Sequence, residues 1–122
     1  MKIIIAGSRN FYDYEFLKQK MKELNLEITE LVCGEARGAD SLGKRWALEN
    51  NIPIKSFYPD WDRYGNSAGM IRNHEMGDYA DYLVAFWDGK SRGTKDMIFY
   101  MQQIGKHGEV IIYEWKKIYS NR

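Results

Sequence analysis

Short apolar runs alternate with segments of helical spacing along the whole chain, and this constrains the fold more than any other feature. Ile3-Ile4-Ile5-Ala6, Leu31-Val32-Cys33, Leu83-Val84-Ala85-Phe86 and Val110-Ile111-Ile112-Tyr113 have the unbroken hydrophobicity of strands buried on both faces. A weaker run from Pro53 to Phe57 opens on proline, which a strand accepts at its first residue. Four helices are predicted between these runs. Asp13 is positioned to cap the first, whose Phe16, Leu17, Met21 and Leu24 share a face. Asp40 is expected to cap the second, which carries Leu42, Trp46 and Ala47. The third spans about Ala68 to Tyr79 with Ile71 and Met76 inward. Thr94 is expected to cap the fourth, with Met97, Ile98, Met101 and Ile104 apolar and Gly105 as its stop.

Strict strand–helix alternation implies right-handed crossovers and a sheet covered on both sides, a Rossmann-like three-layer α/β sandwich. The runs around Ile4 and Val84 are the most apolar and therefore central. That predicts a five-stranded, mainly parallel sheet of order 3-2-1-4-5, with a ligand crevice beyond the carboxyl ends of strands one and four. A length of 122 residues suits one domain, 1–122. The only long connection, Tyr58 to Ser67, is aromatic and charged and is expected to cover part of a site.

Composition narrows the function class. The chain is 44% apolar and 29% charged, the balance of a soluble globular protein. No apolar run is long enough for a transmembrane helix or a signal-peptide core, so no membrane partner is expected. The one cysteine, Cys33, excludes an internal disulfide, fits a reducing cytoplasmic setting and reads as a buried structural residue. A formal net charge of +1 argues against a broad polyanion surface, and Lys116-Lys117 with Arg122 is thin for a nucleic-acid partner. His74 and His107 lie far apart with no ligand pattern around them, so no metal site is expected.

Glycine and arginine cluster after the strands. Gly7-Ser8-Arg9 follows the first, Gly34-Glu35-Ala36-Arg37-Gly38-Ala39-Asp40 the second, and Asp88-Gly89-Lys90-Ser91-Arg92-Gly93-Thr94 the fourth. Gly65-Asn66-Ser67-Ala68-Gly69 and then Arg72-Asn73 follow the third at a greater distance. Glycine lets backbone N–H groups approach an anion, each loop opens a helix whose N-terminus favours negative charge, and arginine adds bidentate recognition. Loops converging on one sheet edge describe a site for a phosphorylated small molecule, most simply a nucleotide. Neither a Walker pattern nor Gly-x-Gly-x-x-Gly after strand one is present, which argues against an NTPase or a standard dehydrogenase.

These blocks carry a resemblance. Gly7-Ser8-Arg9, Gly34-x-Ala36-Arg37-Gly38-Ala39-Asp40, Trp46-Ala47, Trp61-Asp62-Arg63-Tyr64-Gly65, Ala68-Gly69-x-x-Arg72-Asn73-x-x-Met76 and Ala85-Phe86-Trp87-Asp88-Gly89-x-Ser91-x-Gly93-Thr94-x-x-Met97-Ile98 occur in order. The chain resembles the YspA-type, YpsA-related branch of the SLOG superfamily over nearly its whole length, up to about Tyr113. The resemblance implies a Rossmann-like fold binding nucleotides or nucleotide-derived, ADP-ribose-like ligands, as a sensor or signalling module. Its wider relatives include DprA-type DNA-processing proteins and the Lonely Guy phosphoribohydrolases.

Lonely Guy enzymes carry a catalytic glutamate in Pro-Gly-Gly-x-Gly-Thr-x-x-Glu. Gly93-Thr94 aligns with its Gly-Thr, and the glutamate position is Met97, which can neither move a proton nor attack a sugar carbon. Hydrolysis of an N-glycosidic or phosphoester bond is therefore the alternative, with Asp88 and Asp40 as candidate catalytic carboxylates; Glu35 and Asp96 read as solvated. Recruitment of DNA or a protein comes third. Arg37 and Arg72 are the best phosphate ligands with Arg9 close behind, while Arg92 reads as exposed. Ser8, Ser91 and Thr94 can donate hydroxyls to phosphate, or the last two cap a helix. Asn73 serves a base, a ribose or a backbone group, and Trp87 and Trp61 either stack on a base or pack. Gly34, Gly38, Gly89 and Gly93 complete the expected ligand contacts. No cofactor is required beyond the bound nucleotide, and a homo-oligomer is compatible with the remaining aromatics.

Overall fold

The computed structural model describes residues 1–113, and within them the apolar runs become strands β1 (Lys2–Gly7), β2 (Glu30–Cys33), β3 (Ile54–Ser56), β4 (Tyr82–Trp87) and β5 (His107–Ile112). Helices α1 (Tyr14–Leu24), α2 (Ala39–Glu49), α3 (Trp61–Tyr64), α4 (Ala68–Tyr79) and α5 (Arg92–Gln103) lie between them. The sheet order is β3-β2-β1-β4-β5, as the apolar pattern implies, and every pairing is parallel. The described sheet therefore has no antiparallel edge.

Alternation along each strand divides the core into two layers. On one face Ile3, Ile5, Leu31, Val84 and Phe86 pack against Leu17, Met21 and Ala47 of α1 and α2. On the other, Ile4, Val32, Leu83 and Ala85 meet Met76 of α4 and Met97 and Met101 of α5. A side chain as fully buried as Leu17 contributes about 1.5–3 kcal/mol. Part of the aromatic excess lies in the first layer. Phe11 is a loop residue with no exposed surface, stacked on Phe86 at 5.1 Å and meeting Tyr113 edge-on. No apolar run marks Phe11 in the sequence.

Several local details differ from the sequence reading. Asp13 caps α1 as expected, accepting from Phe16 N at 3.1 Å. Asp40 does not cap α2: Gly38 holds that position, and Asp40 lies inside the first turn. Nor does Thr94 cap α5; Ser91 stands there, without a side-chain capping bond, and Thr94 is buried within the first turn. Pro53 precedes β3 and contributes its carbonyl to Leu31 N. The strand predicted from Val110 begins earlier, at His107. Ile71 is only half-buried and Ile104 is exposed. The Tyr58–Ser67 connection is not irregular throughout, because it folds into α3 and a 3-10 turn over Gly65–Ser67. Lys116, Lys117 and Arg122 lie outside the described residues. No helix among the described residues is long and apolar enough to cross a membrane.

Candidate functional site

A cleft of about 410 Å³ opens beyond the carboxyl ends of β1 and β4, where the strand order changes direction. Its size falls within the roughly 300–1,000 Å³ of small-molecule sites. Gly7 lines it at the end of β1, and a side chain there would collide with the sheet, since a Cβ would sit 2.0 Å from the Phe86 carbonyl oxygen. Gly38 is constrained twice. Its φ is +71°, and a Cβ would stand 2.3 Å from the Ser8 carbonyl oxygen. These two glycines bring backbone against backbone and hold the loops together.

Ser8 is the knot of that packing and is not among the residues lining the cleft. It is fully buried. Its N–H donates to the Phe86 carbonyl at 3.0 Å, and its carbonyl accepts from Phe11 N and Ala39 N. Its hydroxyl oxygen accepts from Asp88 N at 3.0 Å and lies 3.1 Å from the Ser91 hydroxyl. One residue thus joins the loops after β1 and β4 to the start of α2.

The two candidate carboxylates sit in different environments. Asp88 builds its own turn: its Oδ1 accepts from Lys90 N and Ser91 N, each at 2.8 Å, and from the Ser91 hydroxyl at 3.0 Å. Burial alone would raise its pKa, but these hydrogen bonds prevail and hold it below the ordinary carboxylate range. Asp40 is 6% exposed and accepts from Ala36 N at 3.2 Å. Burial pushes it up to about 6, against the opposing pull of that hydrogen bond and of Arg72 and Arg9. Asp40 therefore titrates near neutrality inside the cleft, whereas Asp88 stays an anion.

Four arginines lie near these groups, and among the described residues none is within ion-pairing distance of a carboxylate. Arg9, Arg72 and Arg92 line the main cleft. Arg72 is half-buried on α4, held by Nη1 to the Gly34 carbonyl and by Nε to Asn73 Oδ1 at 3.1 Å; burial lowers its pKa. Arg37 is exposed and lines a smaller, adjacent pocket of about 200 Å³ with Arg9, Glu35, Pro59, Trp61 and Arg72. Arg92 is exposed, as expected, yet still borders the main cleft.

Several loop amides are already occupied. Ala36 N serves Asp40, Ala39 N serves Ser8, and Lys90 N and Ser91 N serve Asp88. At the first turn of α5, Gly93 and Thr94 line the cleft, and helical N–H groups there have no intrahelical acceptor.

Of the expected contacts, Gly7, Arg9, Asp40, Arg72, Asn73, Asp88, Ser91, Gly93 and Thr94 all line the cleft. Gly34 and Gly38 lie behind it, and Gly89 is not among its lining residues. Trp87 faces away: its indole donates to the Ser91 carbonyl at 3.0 Å and packs on the α4–α5 core layer. Met97 is 2% exposed and forms cleft wall and core together. Glu35 is not freely solvated, because its carboxylate accepts from Lys44 at 2.9 Å and Ser56 at 2.5 Å on a backbone with φ +59°. Nor is Asp96, which meets His74 at 3.3 Å. Cys33 is buried, and desolvation raises its thiol to about 12, so it is no nucleophile at neutral pH. Among the described residues no group of three metal-ligating side chains comes together. Ala6, Asn10, Ala36 and Met76 also line the cleft, and the sequence reading missed them as site residues. Asn10 follows Gly7-Ser8-Arg9 directly, which is the one signal that could have found it.

Comparison with known proteins identifies the family. The model of the YAcAr family, the YspA, cpYpsA-related SLOG family, matches residues 1–64, which include Arg9, Arg37, Asp40 and Trp61. The "Gene 61 protein" of Mycobacterium phage D29 is 32% identical over 114 residues, 85% of this chain and 90% of the phage protein. No solved structure matches the chain at a significant level. The chain belongs to the YspA, cpYpsA-related SLOG family.

Proposed function

We propose that this SLOG-family chain is a single-domain cytoplasmic protein that binds a nucleotide or a nucleotide-derived, ADP-ribose-like ligand in the main cleft. One observation carries the reading: Arg9, Arg72 and Arg92 border the same cleft without an ion-pair partner among the described residues, beside the first turn of α5. The half-buried Arg72 guanidinium is held only by neutral acceptors, the Gly34 carbonyl and Asn73 Oδ1, with the raised-pKa Asp40 as its nearby carboxyl, so an added anion is favoured there. A phosphate between Arg72 and Arg9 supplies it bidentately, and the N–H groups of Gly93 and Thr94 complete the anion site. Asn73 donates Nδ2 to the Gly93 carbonyl at 3.2 Å, which ties α4 to that turn and fixes the spacing of the two anion-binding edges. Asp88, an anion lining the same cleft, would accept from a ribose hydroxyl.

The binding test is a thermal-shift screen of AMP, ADP, ADP-ribose and cyclic nucleotides. A ligand at a hundred times its Kd stabilises the fold by about 2.7 kcal/mol, a shift of several degrees. No shift with any of them would remove the reading.

Asp40 favours one second reading. A cleft carboxyl that titrates near pH 6 has the tuning of a general acid, and Asp88 stays ionised nearby. Together they could cleave an N-glycosidic bond in the bound ligand, although Met97 occupies the place of the usual glutamate. Chromatography of each binding ligand after incubation decides this. Release of free base that Asp40→Asn abolishes identifies an enzyme; intact ligand identifies a binding module.

A further inference from the structure

The two pockets are not independent. Arg9, Ala36 and Arg72 line both, so the smaller one continues the main cleft past a pair of shared guanidinium groups. At about 200 Å³ it falls below the roughly 300–1,000 Å³ of a self-sufficient small-molecule site. Its outer wall is Trp61 on α3, 54% exposed although large and apolar. Trp61 stands close to the shared cation. A Cβ built on Gly69 would lie 3.8 Å from Trp61 Cη2 and 3.9 Å from Arg72 Nη2, so indole and guanidinium border the same point. Arg37 lines this pocket without an ion pair, and the neighbouring carboxylate of Glu35 is already held by Lys44 and Ser56.

This inference rests on the nucleotide-binding reading above and extends it. We propose that the smaller pocket is a second subsite, so that the preferred ligand is a diphosphate-bridged molecule with a moiety at each end. The nucleoside end occupies the main cleft, and the bridging diphosphate lies between Arg9 and Arg72. The far end, a sugar or a second base, rests on the Trp61 indole within reach of Arg37. An anionic bridge is the chemistry demanded by cations shared between two chambers, and an exposed indole beside it gives a flat surface for a ring. A mononucleotide fills the first chamber alone and leaves Trp61 in water.

Calorimetric titration of the whole chain with AMP, ADP-ribose and diadenosine diphosphate, for the wild type and Trp61→Ala, tests this. The two bridged ligands are expected to bind at least about tenfold more tightly than AMP, and Trp61→Ala should remove most of that advantage while leaving the AMP affinity in place. Trp61→Phe should retain it, since a smaller ring still stacks, and Arg37→Ala should weaken the bridged ligands alone. Trp61 is exposed, so its replacement does not threaten the fold. Equal affinity for AMP and the bridged ligands, or an undiminished advantage in Trp61→Ala, overturns the second subsite and leaves the nucleotide-binding reading standing. Failure of all three ligands to bind overturns both.

Discussion

Cations on the helical surface and cations at the cleft live in different company. On α1 and α2, Lys18 meets Glu15 at 2.6 Å, Lys20 meets Glu23 at 3.4 Å and Arg45 meets Glu49 at 3.1 Å, all three or four residues apart on one helix. At the carboxyl edge of the sheet, Arg9, Arg37, Arg72 and Arg92 have no such partner among the described residues. The first pattern satisfies itself within the fold and contributes little. The second leaves positive charge directed into a concave surface, which a binding protein does for an anion from outside. A net charge of +1 conceals this, because it averages the paired face with the unpaired one.

The largest way to break the comparison is to remove the carboxyl that sits among the cleft arginines. Asp40 has its folded-state pKa raised from 3.8 to about 6. The sign follows: its contribution favours the fold fully below pH 4 and is lost as pH rises through 6. Over that window it should cost the wild type up to about 3 kcal/mol, a penalty that Asp40→Asn lacks. Denaturant melts of both proteins at pH 4, 5, 6 and 7 check this, and parallel pH profiles would show that Asp40 ionises normally. Because a neutral Asp40 no longer repels an incoming phosphate, nucleotide affinity should also rise as pH falls through 6.

Next in size is Arg72→Ala. It removes a charged, two-point phosphate contact and should weaken nucleotide binding by about a hundredfold. Arg45→Ala, on the paired face, should leave affinity unchanged and stability nearly so. A similar Kd for both variants would mean that the two groups of cations do not differ in function. Gly38→Ala probes the scaffold between them: strain at φ +71° and the clash with Ser8 should cost at least about 2 kcal/mol, read from the urea midpoint. The smallest effect is expected at Arg92, exposed on the rim, where Ala should reduce affinity only a few-fold and mostly at low salt.

The same contrast explains what the sequence makes legible. Strand order follows from apolarity alone, since Ile3–Ile5 and Leu83–Phe86 can be satisfied only in the middle of a covered sheet. The edge that bears the site follows from topology, and nine of the expected residues meet in the cleft. Roles within that edge are less legible, because they depend on which polar group reaches which partner in three dimensions. Asp40 has a helix-capping composition but takes Ala36 N from inside the helix, because Gly38 holds the cap two positions earlier. Ser8 carries a phosphate-binding pattern but is consumed by Asp88, Ser91 and Ala39. Trp87 ends a strand at the site and yet turns inward, whereas Trp61, on a segment that sequence leaves as a loop, faces a pocket. Local spacing sets which face a residue occupies; hydrogen-bond satisfaction among loops then decides its use.

The most direct test of the central claim is a thermal-shift titration of AMP and ADP-ribose against wild type, Arg72→Ala and Arg45→Ala, run side by side. The account predicts a saturable rise in Tm of several degrees for wild type and Arg45→Ala, and little or none for Arg72→Ala at the same ligand concentrations. An unshifted wild type, or an Arg72→Ala curve that superimposes on the Arg45→Ala curve, would contradict it.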